Sequence, residues 1–219
     1  MSILSADKFL NQVCNADCIE FMKQLPDRCV RLCFCDPPYN NNTLYNSYQD
    51  NKTPEEYLQW CKDWFAQCRR IADRVIVTPG HGNFWMWGNQ IEKPWGVGAW
   101  YKPGNPASSV LGWCCWEPWL YYCHDYKALG GEDTIRATVS RQKGVGSHPC
   151  PKSLQLLLEL IKKTTKEGEI VLDPFAGSGT TLLAAKILKR RFIGIEIDPS
   201  YVDSTRQRLA DDVDLFDKS

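Results

Sequence analysis

Glu169-Ile170-Val171-Leu172-Asp173-Pro174-Phe175-Ala176-Gly177-Ser178-Gly179-Thr180-Thr181 decides the fold. A short apolar run ending on an acid predicts a buried strand, Glu169 to Leu172, closing on Asp173. The glycines predict a tight turn, and Gly179 to Lys189 continues as a helix. Strand, turn and helix in this order belong to an open α/β sheet, where ligands sit at the carboxyl ends of the strands near a topological switch. Gly177 and Gly179 lack a Cβ, so the backbone can approach a ligand closely. The helix N-terminus offers unpaired N–H groups to a carboxylate, and Asp173 can accept from an ammonium group; a methionine moiety carries both charges. No Lys follows the second glycine, so this is not a phosphate loop. Arg191 to Ile197 is the next strand. It carries Glu196, 23 residues after Asp173, where ribose-binding acids stand in dinucleotide folds.

Working outward, short apolar runs alternate with amphipathic stretches over 219 residues, which reads as an α/β fold with one sizeable core. Val30 to Cys35 predicts a strand ending on Asp36. Thr53-Pro54-Glu55-Glu56 opens a helix with a Thr cap, Pro at the first position and acids in the first turn. Its apolar residues, Tyr57 to Ala72, follow at helical spacing. Arg74 to Thr78, Gly98 to Lys102 and Trp119 to His124 read as strands. Pro151 to Thr165 reads as a helix with Leu154, Leu157, Leu158 and Ile161 on its apolar face, and Pro199 to Leu209 as the last helix. Asn40 to Lys52 is polar and without period, a length of loop that is more often functional than structural.

Asp36-Pro37-Pro38-Tyr39 is the second chemical signal. An exocyclic amine on a base is a poor nucleophile, because its lone pair is delocalised into the ring. Two acceptors that take its two N–H hydrogens turn the lone pair towards an electrophile. Asp36 supplies one and the Pro37 carbonyl the other. Each proline fixes its own φ and biases the residue before it to an extended conformation, so the tetrapeptide is a stiff rim. Tyr39 offers a flat face to the ring.

The two motifs together resemble the amino-methyltransferases that act on adenine N6 or cytosine N4 in DNA. Their order, catalytic before cofactor, resembles the β class of that family, and the likeness runs from about Val13 to Leu209. The resemblance implies a class I methyltransferase (Rossmann-like) fold: a mixed seven-stranded sheet, one strand antiparallel, helices on both faces, in circularly permuted order. The strand before Asp17 would then lie beside the one ending at Glu196, with the termini close in space. It implies S-adenosylmethionine as cofactor, held by Asp17, Cys18, Asp36, Lys152, Asp173, Phe175, Ala176, Gly177, Ser178, Gly179, Thr180, Glu196 and Ile197. Asp17 would take the amino group of the cofactor adenine. His148-Pro149-Cys150-Pro151-Lys152 resembles the family's His-Pro-x-x-Lys element, with Lys152 set to neutralise the cofactor carboxylate. Asp36, Pro37, Pro38 and Tyr39 would be catalytic, acting on a base flipped out of the duplex.

Composition narrows the rest. The formal charge is zero, 26 basic against 26 acidic residues, so a DNA face must be local. Eleven cysteines, with no C-x-x-C and only three histidines, read as reduced, mostly buried thiols in an intracellular, cytoplasmic protein; the family resemblance implies a bacterial, archaeal or phage-infected host cell. No metal is expected. Neither a signal peptide nor a membrane-spanning run is evident. Nine tryptophans read as packing for the most part.

Within the family, Asp before Pro-Pro-Tyr leans to adenine N6, with cytosine N4 the alternative. A catalytically silent DNA-binding subunit is a rival of another class. The whole chain, 1–219, reads as one catalytic domain with a short target-recognition insertion at about 125–147, holding Lys127, Arg136, Arg141 and Lys143. Asn40, Tyr45, Arg136, Arg141 and Lys143 are the candidate DNA contacts. The Asn40–Lys52 loop is a candidate to fill the gap left by a flipped base. A recognition region this small anticipates a short target, relaxed specificity, or a homodimer or second subunit.

Overall fold

The computed structural model describes residues 3–43, 50–104, 107–125, 129–138 and 152–211. Strand β1 (Gln12–Asn15) and helix α1 (Cys18–Met22) lead to β2 (Val30–Cys35), α2 (Pro54–Ile71), β3 (Ala72–Val77) and α3 (Gly80–Met86). A π-type turn, Trp87–Ile91, extends α3. Then come β4 (Gly96–Tyr101), β5 (Ala107–Ser109), β6 (Gly112–Cys114), β7 (Trp116–Cys123) and β8 (Thr134–Arg136). The last elements are α4 (Leu154–Thr164), β9 (Ile170–Asp173), α5 (Thr180–Ile187), β10 (Arg191–Glu196) and α6 (Pro199–Asp211).

Eight strands form one sheet in the order β1-β10-β9-β2-β3-β7-β4-β8, and β5 pairs with β6 alone. Among the described residues, β7 alone in this sheet runs against its neighbours, β3 and β4. The anticipated seven strands with one reversed are present. The eighth is an addition: β8 lies parallel to the outer edge of β4 and buries Ile135. Three residues carry too little alternation to announce a strand. Pairing with β4 is what gives their backbone groups partners.

The circular permutation appears at the opposite edge. β1 pairs in parallel with β10, Asn15 opposite Glu196. The Asn15 amide donates to the carbonyls of Glu196 and Ile197, at 3.0 and 2.9 Å. From β2 the chain passes through α2 to β3, on one side. From β9 it passes through α5 to β10, on the other. β2 and β9 are themselves paired, Cys33 opposite Leu172. The switch point therefore lies between them, and the segments leaving both strands open at the same end of the sheet.

The period of two along β2 builds the layers. Leu32 and Phe34 face α4 and α5, while Cys33 and Cys35 face α1 and α2. α2 starts on a reciprocal cap: Thr53 Oγ1 accepts from the Glu56 N–H, and the Glu56 carboxylate accepts from the Thr53 N–H. In α4 the deepest residues are Leu156, Leu157, Leu160, Ile161 and Thr164, so the apolar face is rotated from the anticipated one. Leu154 and Leu158 are only partly covered. A helix with six apolar residues in its first eight supports either face, and the sheet selects one.

The ten described cysteines are free thiols, six of them buried. Cys33, Cys35 and Cys68 bring their Sγ atoms within 4.8 Å of one another between β2 and α2. Burial raises Cys33 and Cys35, Cys68 pushes both the same way, and Asp173 adds to Cys33. Burial works against charge on Cys68 as well, yet its hydrogen bonds with Cys33 and Cys35 take its pKa down to about 6. Trp64, Trp87, Trp100 and Trp119 are buried; Trp85, Trp95, Trp113 and Trp116 are exposed. No described helix is long and apolar enough to cross a membrane.

Candidate active site

The glycine loop after β9 and the rim after β2 face a common cavity of about 230 Å³. Asp17 and Cys18 reach it from the start of α1, Glu196 and Ile197 from the end of β10. Asp36 to Tyr39 and Lys152 close one side; Asp173, Phe175 to Ser178 and Thr180 close the other. Residues that sequence reading missed also line it, among them Trp60, Asp198 and Tyr201. Trp60 lay on the expected apolar face of α2, and nothing in its spacing distinguished a cavity wall from core.

One anticipated residue falls elsewhere. Gly179 is not in the cavity wall. It caps α5 in the left-handed region, φ +74°, and a Cβ there would lie 2.4 Å from Thr205 Cγ2. Its missing side chain makes room for α6, not for a ligand. Gly177, φ +47°, does line the cavity.

The cavity's charges are arranged for a cation. Asp173 is 2% exposed and accepts from the Phe175 N–H at 2.9 Å. Burial, with the nearby carboxylates of Asp36 and Glu196, pushes its pKa up to about 7. An ammonium group beside it would relieve that cost. Glu196 is held by the N–H groups of Gly177 and Asp198, at 2.8 and 2.9 Å, which aims it across the loop. Asp17 caps α1 by accepting from the Glu20 N–H. Two acids flanking a glycine-lined wall, and a buried carboxylate in need of a counter-charge, fit the amino acid and ribose of S-adenosylmethionine.

The rim is held from behind. Tyr57 Oη donates to the Pro38 carbonyl at 2.8 Å, and Asn83 Nδ2 to the Tyr39 carbonyl at 2.9 Å. Among the described residues none donates to the Pro37 carbonyl. Asp36 is divided in the same way. Its Oδ1 accepts from Thr78 Oγ1 at 2.6 Å and Tyr39 Oη at 2.7 Å, and lies 3.0 Å from Lys152 Nζ. Oδ2 has no described donor. Thr78 follows β3 just as Asp36 follows the adjacent, parallel β2, with Cys35 opposite Val77. Strand pairing, which sequence does not display, is the signal that finds it.

Lys152 has a different neighbourhood from the one anticipated. Its ammonium donates to Tyr39 Oη at 2.7 Å and to Glu117 Oε2 at 3.1 Å. Burial opposes its charge, but Asp36, Tyr39 and Glu117 outweigh that and hold its pKa well up. Glu117, on β7, also pairs with Lys102. Burial works against its charge too, yet Lys152 and Lys102 take its pKa down to about 2. Two carboxylates and two ammonium groups thus close a neutral cluster under the rim. Lys152 already has its counter-charges from the protein.

Of the candidate DNA contacts, Asn40 is engaged within its own loop. Its side chain accepts from the Lys52 N–H and donates to the Lys52 carbonyl, while Asp50 takes its backbone N–H at 2.7 Å. Asn40 is thus a loop latch whose amide keeps one N–H and one acceptor lone pair for a further contact. Arg136 is exposed at the end of β8, its guanidinium 5.9 Å from the Tyr101 ring centre. Tyr45, Lys127, Arg141, Lys143 and His148 to Pro151 lie outside the described residues. In the region anticipated as a target-recognition insertion, Thr134–Arg136 forms the edge strand β8, with Ile135 and Ala137 buried.

A family model described as DNA methylase matches residues 30–93 and 81–207, spanning both motifs. The chain belongs to this N6/N4 DNA methylase family. It is 27% identical to the type II methyltransferase M2.MboI of Moraxella bovis, over 93% of this chain and 89% of that protein. It is likewise 27% identical to the type II methyltransferase M.HinfI of Haemophilus influenzae, over 92% of this chain and 68% of that one. Among solved structures, the PvuII cytosine-N4-specific DNA methyltransferase superposes with a TM-score of 0.71 over 91% of this chain and 89% of its own, at 15% identity. The complex of M1.HpyAVI with S-adenosylmethionine gives 0.66 over 90% and 98%, at 25% identity. The fold is therefore that of the class I methyltransferases, and the chain is a DNA methyltransferase whose family takes its methyl group from S-adenosylmethionine.

Proposed function

We propose that this methylase transfers the methyl group of S-adenosylmethionine to the exocyclic amine of a flipped base, adenine N6 in preference to cytosine N4. The observation that carries the reading is the division of Asp36: Oδ1 is taken by three protein donors, and Oδ2 remains as an acceptor beside the Pro37 carbonyl. Those two acceptors take the two N–H hydrogens of the target amine and turn its lone pair inward. Asp173 and Glu196 hold the cofactor's ammonium and ribose, and Asp17 its adenine. The cofactor supplies a methyl group activated by a sulfonium centre. Alignment of the two partners is the main source of rate. Asp36 Oδ2 is the first acceptor for the proton that the amine sheds. No covalent enzyme intermediate is required, so none of the thiols takes part.

The preference for adenine rests on Asp, rather than Ser, before Pro-Pro-Tyr. A silent subunit is disfavoured because both motifs are intact and meet at one cavity. The neutral overall charge and small insertion favour a short target or a second copy of the chain in the working enzyme. DNA and cofactor together place its work inside a cell.

Purified protein incubated with S-adenosylmethionine and unmodified DNA, then digested to nucleosides for mass spectrometry, tests this. N6-methyladenine is expected. N4-methylcytosine would overturn the base, and no methylated base despite cofactor binding would favour the silent subunit.

A further inference from the structure

The β5–β6 hairpin has a turn of unusual chemistry. Ser109 pairs with Gly112, so Val110 and Leu111 form a two-residue turn. Such turns favour Asn, Asp and Gly. Here two branched apolar side chains occupy it, 102% and 97% exposed, with Trp113 beside them at 76%. No fold requirement accounts for apolar groups held out in water at a turn.

The hairpin stands next to the catalytic rim. A second cavity, about 190 Å³, shares Tyr39 with the first and is walled by His81, Lys102, Cys114 and Trp116. The foot of the hairpin is tied there: Cys114 Sγ lies 3.0 Å from His81 Nε2, and the His81 and Trp116 rings meet edge to face at 4.4 Å. A base reaching Asp36 Oδ2 passes this rim. Arg136 is exposed beside Tyr101, the residue that ends β4 and leads into the hairpin. An exposed apolar tip, on the hairpin whose foot adjoins the rim, and an exposed guanidinium beside Tyr101 suit a base stack and a phosphate. As a protein contact, a two-residue tip falls far short of the roughly 800 Å² per partner that a stable dimer uses.

We propose that the Val110–Leu111 turn is a wedge that enters the duplex beside the target and occupies the space the flipped base leaves, with Arg136 on an adjacent phosphate. This assigns to the hairpin the gap-filling role anticipated for the Asn40–Lys52 loop. It rests on the reading that the substrate is a flipped base in DNA.

The test compares the unaltered enzyme with the Val110→Ser/Leu111→Ser variant. Three oligonucleotides carry the methylation site mapped on plasmid DNA: a full duplex, the same duplex with an abasic position opposite the target, and the single strand. The wedge predicts a loss of about tenfold or more in duplex kcat/KM, with the abasic-opposed and single-stranded substrates within about twofold of the unaltered enzyme. Cofactor affinity and melting temperature should not change. Equal activity on the full duplex overturns the wedge, as does an equal loss on all three substrates. A dimer in the unaltered enzyme that the variant loses overturns it in favour of a second copy. Methylation of none of the three by the unaltered enzyme overturns the underlying reading and the wedge with it.

Discussion

Gly80 is the seat of the Tyr39 ring. A Cβ built on Gly80 would lie 3.0 Å from Cδ2 of Tyr39 and 3.1 Å from Cε2, and the glycine holds φ at +69°. Backbone therefore backs the ring where any other residue would push it away. At the far end of that ring, Tyr39 Oη both donates to Asp36 and accepts from Lys152. Gly80→Ala should shift Tyr39 and disturb Asp36 through it. The expected result is a drop in kcat of tenfold or more, on the order of 1.4 kcal/mol, with cofactor affinity retained. Steady-state kinetics and cofactor titration read the two separately; unchanged kcat would show that the ring's seat does not matter.

Asp36→Ala should abolish methylation and leave cofactor binding largely in place, since the wall formed by Asp173, Glu196 and Asp17 is untouched. Single-turnover methyl transfer at saturating cofactor measures this. Retained transfer would remove Asp36 from the mechanism.

The two loop glycines should fail differently. Gly177→Val sets a branched side chain in the cavity wall at a left-handed φ, so cofactor affinity should be lost, with a fall in melting temperature from backbone strain alone. Gly179→Val drives a Cβ into Thr205 at a left-handed φ. Here stability should fall by about 2 kcal/mol or more. Calorimetric binding and thermal melts distinguish the two, and matching profiles would contradict the assignment.

Asp173 gives the pH dependence. Its pKa is raised to about 7, so below that pH the carboxyl is protonated and cannot oppose an ammonium charge. Cofactor affinity should rise as pH passes upward through about 7. The sign for stability is opposite: the folded chain without cofactor holds this proton more tightly than the unfolded chain, so stability present below the ordinary carboxylate pKa is lost as pH rises through about 7. Asp173→Asn should flatten both curves.

Glu117→Ala leaves Lys152 and Lys102 without their shared carboxylate in a buried cluster. Removing one partner of a buried pair costs about 3 kcal/mol. Urea unfolding measures it. Because the pKa of Glu117 is lowered to about 2, its contribution is present above the ordinary carboxylate range and is lost only as pH falls towards about 2. Glu117→Gln, which keeps the shape, should recover part of the stability and not the activity.

The strands that stop at Asp36, Asp173 and Glu196 were legible in local text, and the family resemblance carried the permutation and the meeting of the two motifs. What stayed hidden depends on pairing across the chain. Glu117 has no local signature; it matters because β7 runs antiparallel beside β3 and β4, so that its carboxylate meets Lys102 and Lys152. The roles of Thr78 and Gly80 come from β3 lying beside β2. The β5–β6 hairpin and β8 are three-residue strands, too short for a period. Lys152 was read from its neighbours in sequence, whereas its neighbours in space set its partners. Asn40 looked free because its latch, Asp50 and Lys52, lies ten residues and more along the chain.

The pairing of β1 with β10 has a consequence for biosynthesis. Asp17, on one cavity wall, is translated 179 residues before Glu196, on the wall beside it. The ribosome makes β1 long before the strand that flanks it exists, and among the described residues β1 has no other strand neighbour. Nascent chains halted before residue 191 therefore lack a closed cofactor wall, however well their earlier strands have paired. Cofactor capture thus waits on synthesis through β10, and a fragment ending before residue 191 should bind no methyl donor.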